Sequence, residues 1–519
     1  MTTSATTDTG FALRLKEAMQ KKAFKQVDLL NAAAKSGKKL GKSQLSQYVS
    51  GKTIPRPDVA DMLAALLDVD PDWLLSGINS ETESSNVLVQ PNKELNPNTE
   101  TTLTEPKTDN REGTPMRTFK KSSKLDNVLY DVRGPVVDEA ARMEEAVTHV
   151  LKLNIGNPAP FGFRTPDEVV HDMRQQLTEC EGYSDSKGLF SARKAIMQYA
   201  QLKKLPNVTM DGIYTGNGVS ELINLCLSAL LDSGDEILIP SPDYPLWTAC
   251  ATLAGGTPVH YICDEQSDWY PDIDDIKSKV NDRTKAIVII NPNNPTGALY
   301  PTEILQQIVD VAREHQLIIF SDEIYDRLVM EGLQHTSIAS LAPDLFCVTF
   351  SGLSKSHMIA GYRIGWMILS GNKNLARDYI LGLNMLSNMR LCSNVPAQSI
   401  VQTALGGHQS VEGYLVPGGR IYEQREYVYN TLKDIPGISV VKPKAGFYIF
   451  PRLDVKKFNI TNDEKFALDL LRDKKILLTQ GTGFNWHQPD HFRVVYLPRI
   501  EVLSEAMTEL ADFLSYYRQ

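Results

Sequence analysis

The sequence lacks the features of secreted proteins, of proteins stabilised by a structural metal site and of membrane-embedded proteins. Its six cysteines are scattered over 519 residues without a Cys-x-x-Cys pair, so neither a disulfide framework nor a zinc site is expected. No run of about 18 apolar residues occurs, and the polar N-terminus lacks the apolar core of a secretion signal. These absences predict a cytoplasmic protein that has no membrane partner and binds no metal.

Aromatic residues are missing from one long stretch, residues 79–115, which is rich in Thr, Asn, Glu, Ser and Pro. Such a segment cannot bury a core, so we expect a flexible linker. It separates a predicted N-terminal domain, residues 1–78, from a larger predicted domain, residues 116–519. The net charge of −9 argues against a protein that binds nucleic acid over its whole surface.

Acidic residues are scarce in residues 11–56, which contain two acidic residues and eleven lysines and arginines. A basic surface of this density is typical of nucleic-acid binding, although a solvated lysine-rich helical surface has the same composition. The pattern predicts a helix from Gln26, a turn over 36–41, a short helix over 42–49 and a third helix ending at Leu67.

On the short helix, Leu45 and either Tyr48 or Val49 are expected to face the core. The segment 43–52, SQLSQYVSGK, resembles the second helix and following turn of the all-α Cro/phage-repressor type of helix-turn-helix domain, which reads the major groove of double-stranded DNA. The resemblance implies base contacts from Gln44 and Gln47 and phosphate contacts from Lys42, Ser43 and Lys52. A protein-docking or dimerising module is the alternative.

From Met116 onward, apolar strands alternate with amphipathic helices, which predicts an α/β fold with a mostly parallel sheet. Three predicted strands, 287–290, 317–320 and 346–350, end in polar clusters. Ligands of open α/β sheets bind at the carboxyl ends of strands. The three strand ends therefore predict a single site.

The strand 346–350 leads into Ser351, Lys355 and Arg363. A lysine at a buried strand end is costly to desolvate, but desolvation also lowers its pKa and frees the amine to form a Schiff base. Arg363 offers a fixed, charged fork for a phosphate. Together they indicate a site for pyridoxal 5'-phosphate (PLP), whereas a solvated loop is the alternative for this segment alone.

The other two strand ends carry groups that suit the PLP ring. Asn294 lies in the turn 291–297, which two prolines and a glycine fix; an ordinary proline turn is the alternative. Asp322 would pair with the protonated pyridine nitrogen or, alternatively, cap a helix. Tyr325 would bond the phenolate oxygen of the cofactor together with Asn294.

Two upstream motifs fit the same ligand. A Gly-Asn-Gly turn at 216–218 precedes a predicted helix, whose first amides, of Val219 and Ser220, suit a phosphate. Tyr244 follows another strand, and its ring would either stack on a flat cofactor or pack in the core.

Asn294, Asp322, Tyr325, Lys355 and Arg363, in this order, resemble the fold-type I PLP-dependent aminotransferases over residues 116–519. The resemblance implies a large domain with a mostly parallel sheet, about 161–400. It also implies a small α/β domain that combines about 116–160 with 410–519.

The same resemblance implies the roles of single residues. Lys355 holds the cofactor and then serves as acid and base, while Val219, Ser220, Ser354 and Arg363 hold the phosphate. Tyr183 matches a tyrosine that reaches the phosphate of the partner subunit, which implies a homodimer. Many members have serine at the position of Gly352, so Ser351 or a backbone amide would replace that contact here.

The substrate α-carboxylate is assigned by the resemblance to Arg493, Asn294 and the backbone of Gly156. The segments 130–135, 153–162 and 480–486 are similar to those of bacterial glutamate–pyruvate (alanine) aminotransferases. This implies ping-pong exchange between L-alanine plus 2-oxoglutarate and pyruvate plus L-glutamate. Arg133 is the candidate contact for the distal carboxylate of glutamate, or else it forms a structural ion pair.

Two other hypotheses remain open. The chain could be a transcriptional regulator that senses PLP or an amino acid with an aminotransferase fold, or an enzyme whose N-terminal domain only docks to proteins. Lys355, Asp322 and Arg493 together favour an enzyme that turns over its substrate. A sensor needs no guanidinium that binds the substrate carboxylate beside a lysine that transfers protons.

Overall fold

The computed structural model describes residues 9–22, 24–35, 40–51, 53, 55, 57–76, 120–125, 128 and 134–519. The candidate residues Lys52 and Arg133 and the predicted linker, residues 79–115, lie outside the described residues. The chain divides into two compact units, Met1–Pro115 and Met116–Gln519.

The described part of the N-terminal unit is helical. Its elements are α1 (Thr9–Lys21), α2 (Gln26–Lys35), α3 (Lys42–Val49), α4 (Pro57–Leu67) and α5 (Pro71–Ser76). Leu45 and Tyr48 of α3 are buried and Val49 is half-buried, so Tyr48 completes the inner face of the predicted short helix. Leu45 packs in one apolar core with Leu15 and Leu63.

The second unit contains the remaining elements. Its helices are α6 (Pro135–Glu145), α7 (Asp167–Gln176), α8 (Phe190–Leu202), α9 (Val219–Leu230), α10 (Leu246–Ala254), α11 (Ile273–Lys279), α12 (Thr302–Glu314), α13 (Leu353–Ser356), α14 (Arg377–Met389), α15 (Val395–Ser399), α16 (Val401–Gly406), α17 (Arg420–Asp434), α18 (Val455–Phe458), α19 (Asp463–Lys474) and α20 (Ile500–Tyr516).

Its strands fall into one large and three small sheets. They are β1 (Leu151–Lys152), β2 (Ile213–Gly216), β3 (Glu236–Ser241), β4 (Thr257–Asp264), β5 (Tyr270–Pro271), β6 (Thr284–Ile290), β7 (Ile318–Asp322), β8 (Phe346–Gly352), β9 (Gly365–Gly371), β10 (Ile438–Ser439), β11 (Tyr448–Ile449), β12 (Arg452–Leu453), β13 (Ile476–Leu477), β14 (Thr479–Gln480) and β15 (Phe492–Val495).

The large sheet has the strand order β2-β9-β8-β7-β6-β3-β4-β5. Its central strands β4, β3, β6, β7 and β8 pair in parallel, whereas β9 runs antiparallel to both of its neighbours. In the register, Ile290 pairs with Asp322 and Asp322 pairs with Phe350. The three polar strand ends that the sequence indicates are therefore adjacent at one edge of the sheet.

Helices cover both faces of this sheet, as alternation along β6 shows. Ile287 and Ile289 point into a core that includes residues of α8, α12 and α16. Ala286, Val288 and Ile290 point the other way, into a core that includes residues of α9 and α10. Burial on both faces explains the nearly continuous apolar sequence of the strand.

A third core joins distant parts of the chain. Residues from α6, α17, α19 and α20 pack together with the short strands β1, β11, β13 and β15. Leu151 of β1 pairs in parallel with Ile476 of β13, which ties the segment before the large sheet to the C-terminal part of the chain. This arrangement is compatible with the predicted small domain, whose exact bounds remain a prediction.

Within the described ranges, no helix has the length and apolarity needed to span a membrane.

Candidate active site

A cavity of about 800 Å³ opens at the carboxyl ends of β6, β7 and β8. It brings together most of the residues that the sequence indicates: Gly156, Val219, Ser220, Tyr244, Asn294, Asp322, Tyr325, Ser354, Lys355, Arg363 and Arg493. Parallel strands place their carboxyl ends on one edge of a sheet, which explains why residues far apart in sequence converge here.

Lys355 lies in the single turn of α13, directly after β8. Its Nζ donates a hydrogen bond to the carbonyl oxygen of Gly156 at 2.7 Å. Burial, and then the charges of Arg493 and Arg363, lower the pKa of Lys355 to about 8. A neutral, nucleophilic amine is therefore accessible near neutral pH.

Asp322 is the last residue of β7 and is buried. Its Oδ2 accepts a hydrogen bond from Trp247 Nε1 at 3.3 Å, and its Oδ1 accepts one from the Ile324 amide at 3.3 Å. Burial raises the pKa of Asp322 to about 6 against the effect of these bonds. No cation lies within ion-pair distance of it among the described residues, so a protonated ring nitrogen matches this carboxylate.

Asp322 does not cap a helix, which was the alternative for this residue. A turn follows β7, and the first helical segment after it begins at Ile338.

The start of α9 forms an anion-binding corner. Val219 and Ser220 are the first two helical residues, whose amides have no partner within the helix. Gly218 precedes them at φ +82°, and a Cβ there would lie 2.1 Å from Nη2 of Arg363. Helix amides, a guanidinium and the nearby Ser354 hydroxyl are a donor set that suits a phosphate dianion.

Arg363 itself is fixed by the backbone around it. Its Nη1 donates to the Ala360 carbonyl at 2.9 Å, and its Nη2 donates to the Asn217 carbonyl at 3.2 Å. The position of the guanidinium therefore does not depend on a bound anion.

Gly352 and Ser351 lie outside the described lining of the cavity. Ser351 is buried within β8, so its hydroxyl is not among the groups that line the cavity, and its predicted contact with the phosphate stays a prediction. A Cβ at Gly352 would lie 2.7 Å from the Ile364 carbonyl oxygen, so the backbone leaves no room for a serine.

Arg493, on β15, is held in a fixed plane. Nη1 donates to Asn294 Oδ1 at 2.8 Å, and Nη2 donates to the backbone oxygen of Asn154. The rings of Tyr448 and Phe484 each lie 4.5 Å from the guanidinium carbon. A flat, charged and oriented guanidinium suits recognition of a carboxylate.

Two tyrosine hydroxyls complete the wall beside Arg493. Tyr325 and Tyr448 share a hydrogen bond of 2.7 Å, and burial raises the pKa of Tyr325. Both rings thus keep their protons at neutral pH. A Cβ at Gly156 would lie 1.9 Å from the Tyr448 hydroxyl, so the absence of a side chain lets this backbone approach the ring.

The residues that contact Asp322 or Arg493 include four that were not recognised in the sequence: Asn154, Trp247, Tyr448 and Phe484. The sequence could have indicated Trp247, because it follows Tyr244 by three residues in the same motif. Tyr448 lies within an apolar run that reads as an ordinary strand. Its role comes from the packing of β11 against β15.

The remaining predicted residues lie elsewhere. Tyr183 is 81% exposed and is not part of the cavity lining. In the N-terminal unit, the predicted DNA-contacting residues Lys42, Ser43, Gln44 and Gln47 are all exposed on α3. Gln44 Nε2 donates to the Tyr48 hydroxyl at 2.8 Å.

Comparison with protein families gives two matches. Residues 148–511 match the family model of aminotransferase class I and II. Residues 15–74 match a helix-turn-helix family model.

Individual relatives cover the larger unit. A glutamate-pyruvate aminotransferase AlaA of Haemophilus influenzae is 60% identical over 404 residues, 78% of this chain and 100% of that protein. An alanine aminotransferase of Mycobacterium tuberculosis is 55% identical over 405 residues, 78% of this chain and 94% of that protein. The protein in a crystal structure of an aminotransferase from Escherichia coli is 57% identical, and the two structures superpose with a TM-score of 0.77. The match covers 78% of this chain and 100% of that chain.

Proposed function

The chain belongs to the aminotransferase class I and II family, and we propose that it exchanges an amino group between L-alanine and 2-oxoglutarate with PLP as its cofactor. The products are pyruvate and L-glutamate. The observation that carries the proposal is the presence of Lys355, Asp322 and Arg493 in one cavity. A nucleophilic amine, a buried acid and a carboxylate fork are the groups that PLP-dependent amino transfer requires. Named relatives at 55–60% identity support alanine as the amino donor.

PLP, when bound, supplies an electron sink for the charge that develops as the substrate Cα loses its proton. The residues present fit this group. The corner formed by Val219, Ser220 and Arg363 would hold its phosphate, and Asp322 would pair with its ring nitrogen. Tyr325 and Tyr244 border the space for the ring.

Lys355 would hold the cofactor and move the proton. Because the pKa of Lys355 is about 8, its Nζ can accept a proton from the substrate Cα and give it back without a large energetic cost. The hydrogen bond to Gly156 keeps this amine at the cavity wall where the predicted substrate carboxylate is held.

Arg493 would bind the α-carboxylate that L-alanine and L-glutamate share. The distal carboxylate of glutamate needs a further donor. The described lining has only two other cations, Lys355 and Arg363, and both have roles at the cofactor. We therefore retain Arg133 as the proposed contact for that carboxylate.

A homodimer is the proposed assembly. Leu381, Met385 and Met389 recur every four residues on α14 and are all exposed, which leaves an apolar helix face without cover. Ser387 Oγ donates to the Ser186 carbonyl at 2.9 Å, which ties this helix to the segment that carries Tyr183. A second subunit on this face would cover the apolar residues and receive Tyr183 near its own phosphate corner.

DNA binding by the N-terminal unit is the second proposed function. The helix-turn-helix match over residues 15–74 and the exposed polar face of α3 support it. A protein-docking role is the alternative for this unit. We also propose the cytoplasm as the compartment, which the six free cysteines support.

The test is an absorbance titration of purified protein with L-alanine and then with 2-oxoglutarate. We expect the band of the bound cofactor to bleach with alanine and to return with the keto acid, with one pyruvate and one glutamate formed per cycle. Lys355→Ala should show neither change, and Lys285→Ala, which removes a surface partner of Asp235, is the control. A band that alanine leaves untouched would favour a cofactor-sensing regulator.

A further inference from the structure

A cluster of buried charges lies behind the cavity, on the far side of residues 322–326. Lys203 Nζ forms ion pairs with Glu323 Oε2 and with Asp326 Oδ2, the latter at 2.7 Å. The side chain of Lys203 is 12% exposed, and both carboxylates are more deeply buried. None of the three residues is part of the cavity lining.

Further hydrogen bonds complete this cluster. Glu323 Oε1 accepts bonds from Ser321 Oγ at 2.9 Å and from Ser337 Oγ at 2.7 Å. Asp326 Oδ2 also accepts a bond from the Tyr199 hydroxyl. Tyr199 and Lys203 both come from the C-terminal end of α8, so one helix end holds both carboxylates.

The two carboxylates lie between residues that line the cavity. Asp322, Ile324 and Tyr325 line it, whereas Glu323 and Asp326 contact Lys203. The segment is a turn, in which the Asp326 amide donates to the Glu323 carbonyl at 3.0 Å. The Glu323 amide still donates to the Phe350 carbonyl of β8 at 2.9 Å, but residues 324–326 lie in a turn beyond the sheet. Side-chain contacts therefore help to fix that part of the turn.

We propose that Lys203 is a positioning residue for the cofactor. It holds the turn through Glu323 and Asp326 and thereby sets the position of Tyr325 against the cofactor ring, whereas Asp322 is held by the strand pairing of β7. Lys203 contacts neither cofactor nor substrate. The inference deepens the proposed function and rests on its cofactor, though not on its substrates.

The buried carboxylates of Glu323 and Asp326 explain why the turn needs a cation beside it. Without Lys203, Glu323 would be left buried without its ion-pair partner, and Asp326 would keep only the charge of Arg327 nearby, which is unfavourable. The turn would relieve this by moving toward water or by taking up protons. Either response displaces Tyr325, because it lies in the same turn between the two carboxylates.

The test is Lys203→Met in the cofactor-loaded protein, with the pH midpoint of the bound cofactor's visible band as the main readout. We expect the midpoint to rise by at least about 0.5 pH unit, because a phenolate oxygen that loses its donor Tyr325 holds the adjacent proton more tightly. We expect kcat for L-alanine to fall at least about tenfold while KM changes less than about threefold, since Arg493 is untouched.

Two further variants test whether the result depends on the charge of Lys203 and on its contacts with this turn. Lys203→Arg keeps the charge and should restore much of the midpoint and of kcat. Lys279→Met breaks a more exposed lysine–carboxylate pair with Asp275, away from the turn, and should leave both readouts at the wild-type values. A Lys203→Met protein that melts earlier but keeps the wild-type midpoint and kcat would show a structural role only and would overturn the proposal.

Asp326→Asn tests the positioning role of Lys203 if the Lys203→Met protein does not fold. It removes one of the two ion pairs and leaves the pair of Lys203 with Glu323, so a smaller midpoint rise is expected and an unchanged midpoint overturns the proposal. The midpoint requires bound cofactor but no turnover. A wild-type protein without any cofactor band would instead refute the proposed function.

Discussion

Arg493 donates a hydrogen bond of 2.8 Å to the side-chain oxygen of Asn294. The bond joins β15 of a small sheet to the turn after β6 of the large sheet. The group that we assign to the substrate carboxylate is therefore held by a residue on the proposed cofactor side. We therefore expect this pair to link binding of a substrate carboxylate to the position of Asn294.

Arg493→Lys should separate substrate binding from cofactor binding. A lysine cannot form a two-pronged contact with a carboxylate or stack between Tyr448 and Phe484. We expect kcat/KM for L-alanine to fall about 100-fold, or ~3 kcal/mol, with the absorbance of the bound cofactor unchanged. Steady-state kinetics measure the first effect and spectroscopy the second. Arg472→Lys, on an exposed ion pair with Glu139, should behave as the wild type.

Asp322→Asn should stabilise the cofactor-free protein and inactivate the enzyme. The pKa of Asp322 is raised to about 6, above its value in the unfolded chain, so the folded state binds more protons and loses stability as pH rises from about 4 to about 6. At pH 7 the asparagine removes this penalty, roughly 2–3 kcal/mol.

Urea unfolding of the cofactor-free proteins at pH 4 and pH 7 measures this difference. The gain of Asp322→Asn over wild type should be present at pH 7 and nearly absent at pH 4. An equal gain at both values would contradict the assignment of the effect to a buried, ionised carboxylate.

Gly218→Ala should weaken cofactor binding through a direct clash. A Cβ at this position would lie 2.1 Å from Arg363 Nη2, which holds the predicted phosphate corner. We expect PLP affinity to fall by about 10- to 100-fold, measured by fluorescence titration of the cofactor-free protein. Gly234→Ala is a matched control, because φ is also positive there, at +98°, but nothing lies within 4 Å. Both variants carry backbone strain, and only Gly218→Ala should lose cofactor.

The convergence of the candidate site residues in one cavity could be predicted from the sequence because strand ends carry unusual residues. Lys355, Asp322 and Asn294 stand where a buried strand meets a loop, and parallel pairing brings those ends together. Lys203 could not be predicted from the sequence, since a lysine after a helix is an ordinary surface residue until folding places Glu323 and Asp326 against it. Tyr448 was equally hidden, because its contact with Arg493 depends on the pairing of β11 with β15.

Met385→Asp should separate the proposed homodimer. The residue lies in the exposed apolar row of α14 between Leu381 and Met389, and a buried carboxylate at a subunit interface is strongly unfavourable. We expect a shift from dimer to monomer in sedimentation velocity, together with weaker PLP binding, because Tyr183 of the second subunit would be lost. Leu202→Asp, at a still more exposed apolar residue outside this row, should remain dimeric.

Gln47→Ala should reveal whether α3 reads DNA. Gln47 is exposed on α3, and it is a cleaner probe than Gln44, whose amide already bonds to Tyr48. In a binding assay on DNA upstream of the gene, we expect Gln47→Ala to weaken specific binding by about 10- to 100-fold and to leave the salt dependence unchanged. Lys42→Ala should instead weaken specific and nonspecific binding alike and reduce the salt slope by about one. Equal effects of both variants on all sequences would indicate a basic surface that attracts DNA without reading it, and no binding by the wild type would favour a docking role for this unit.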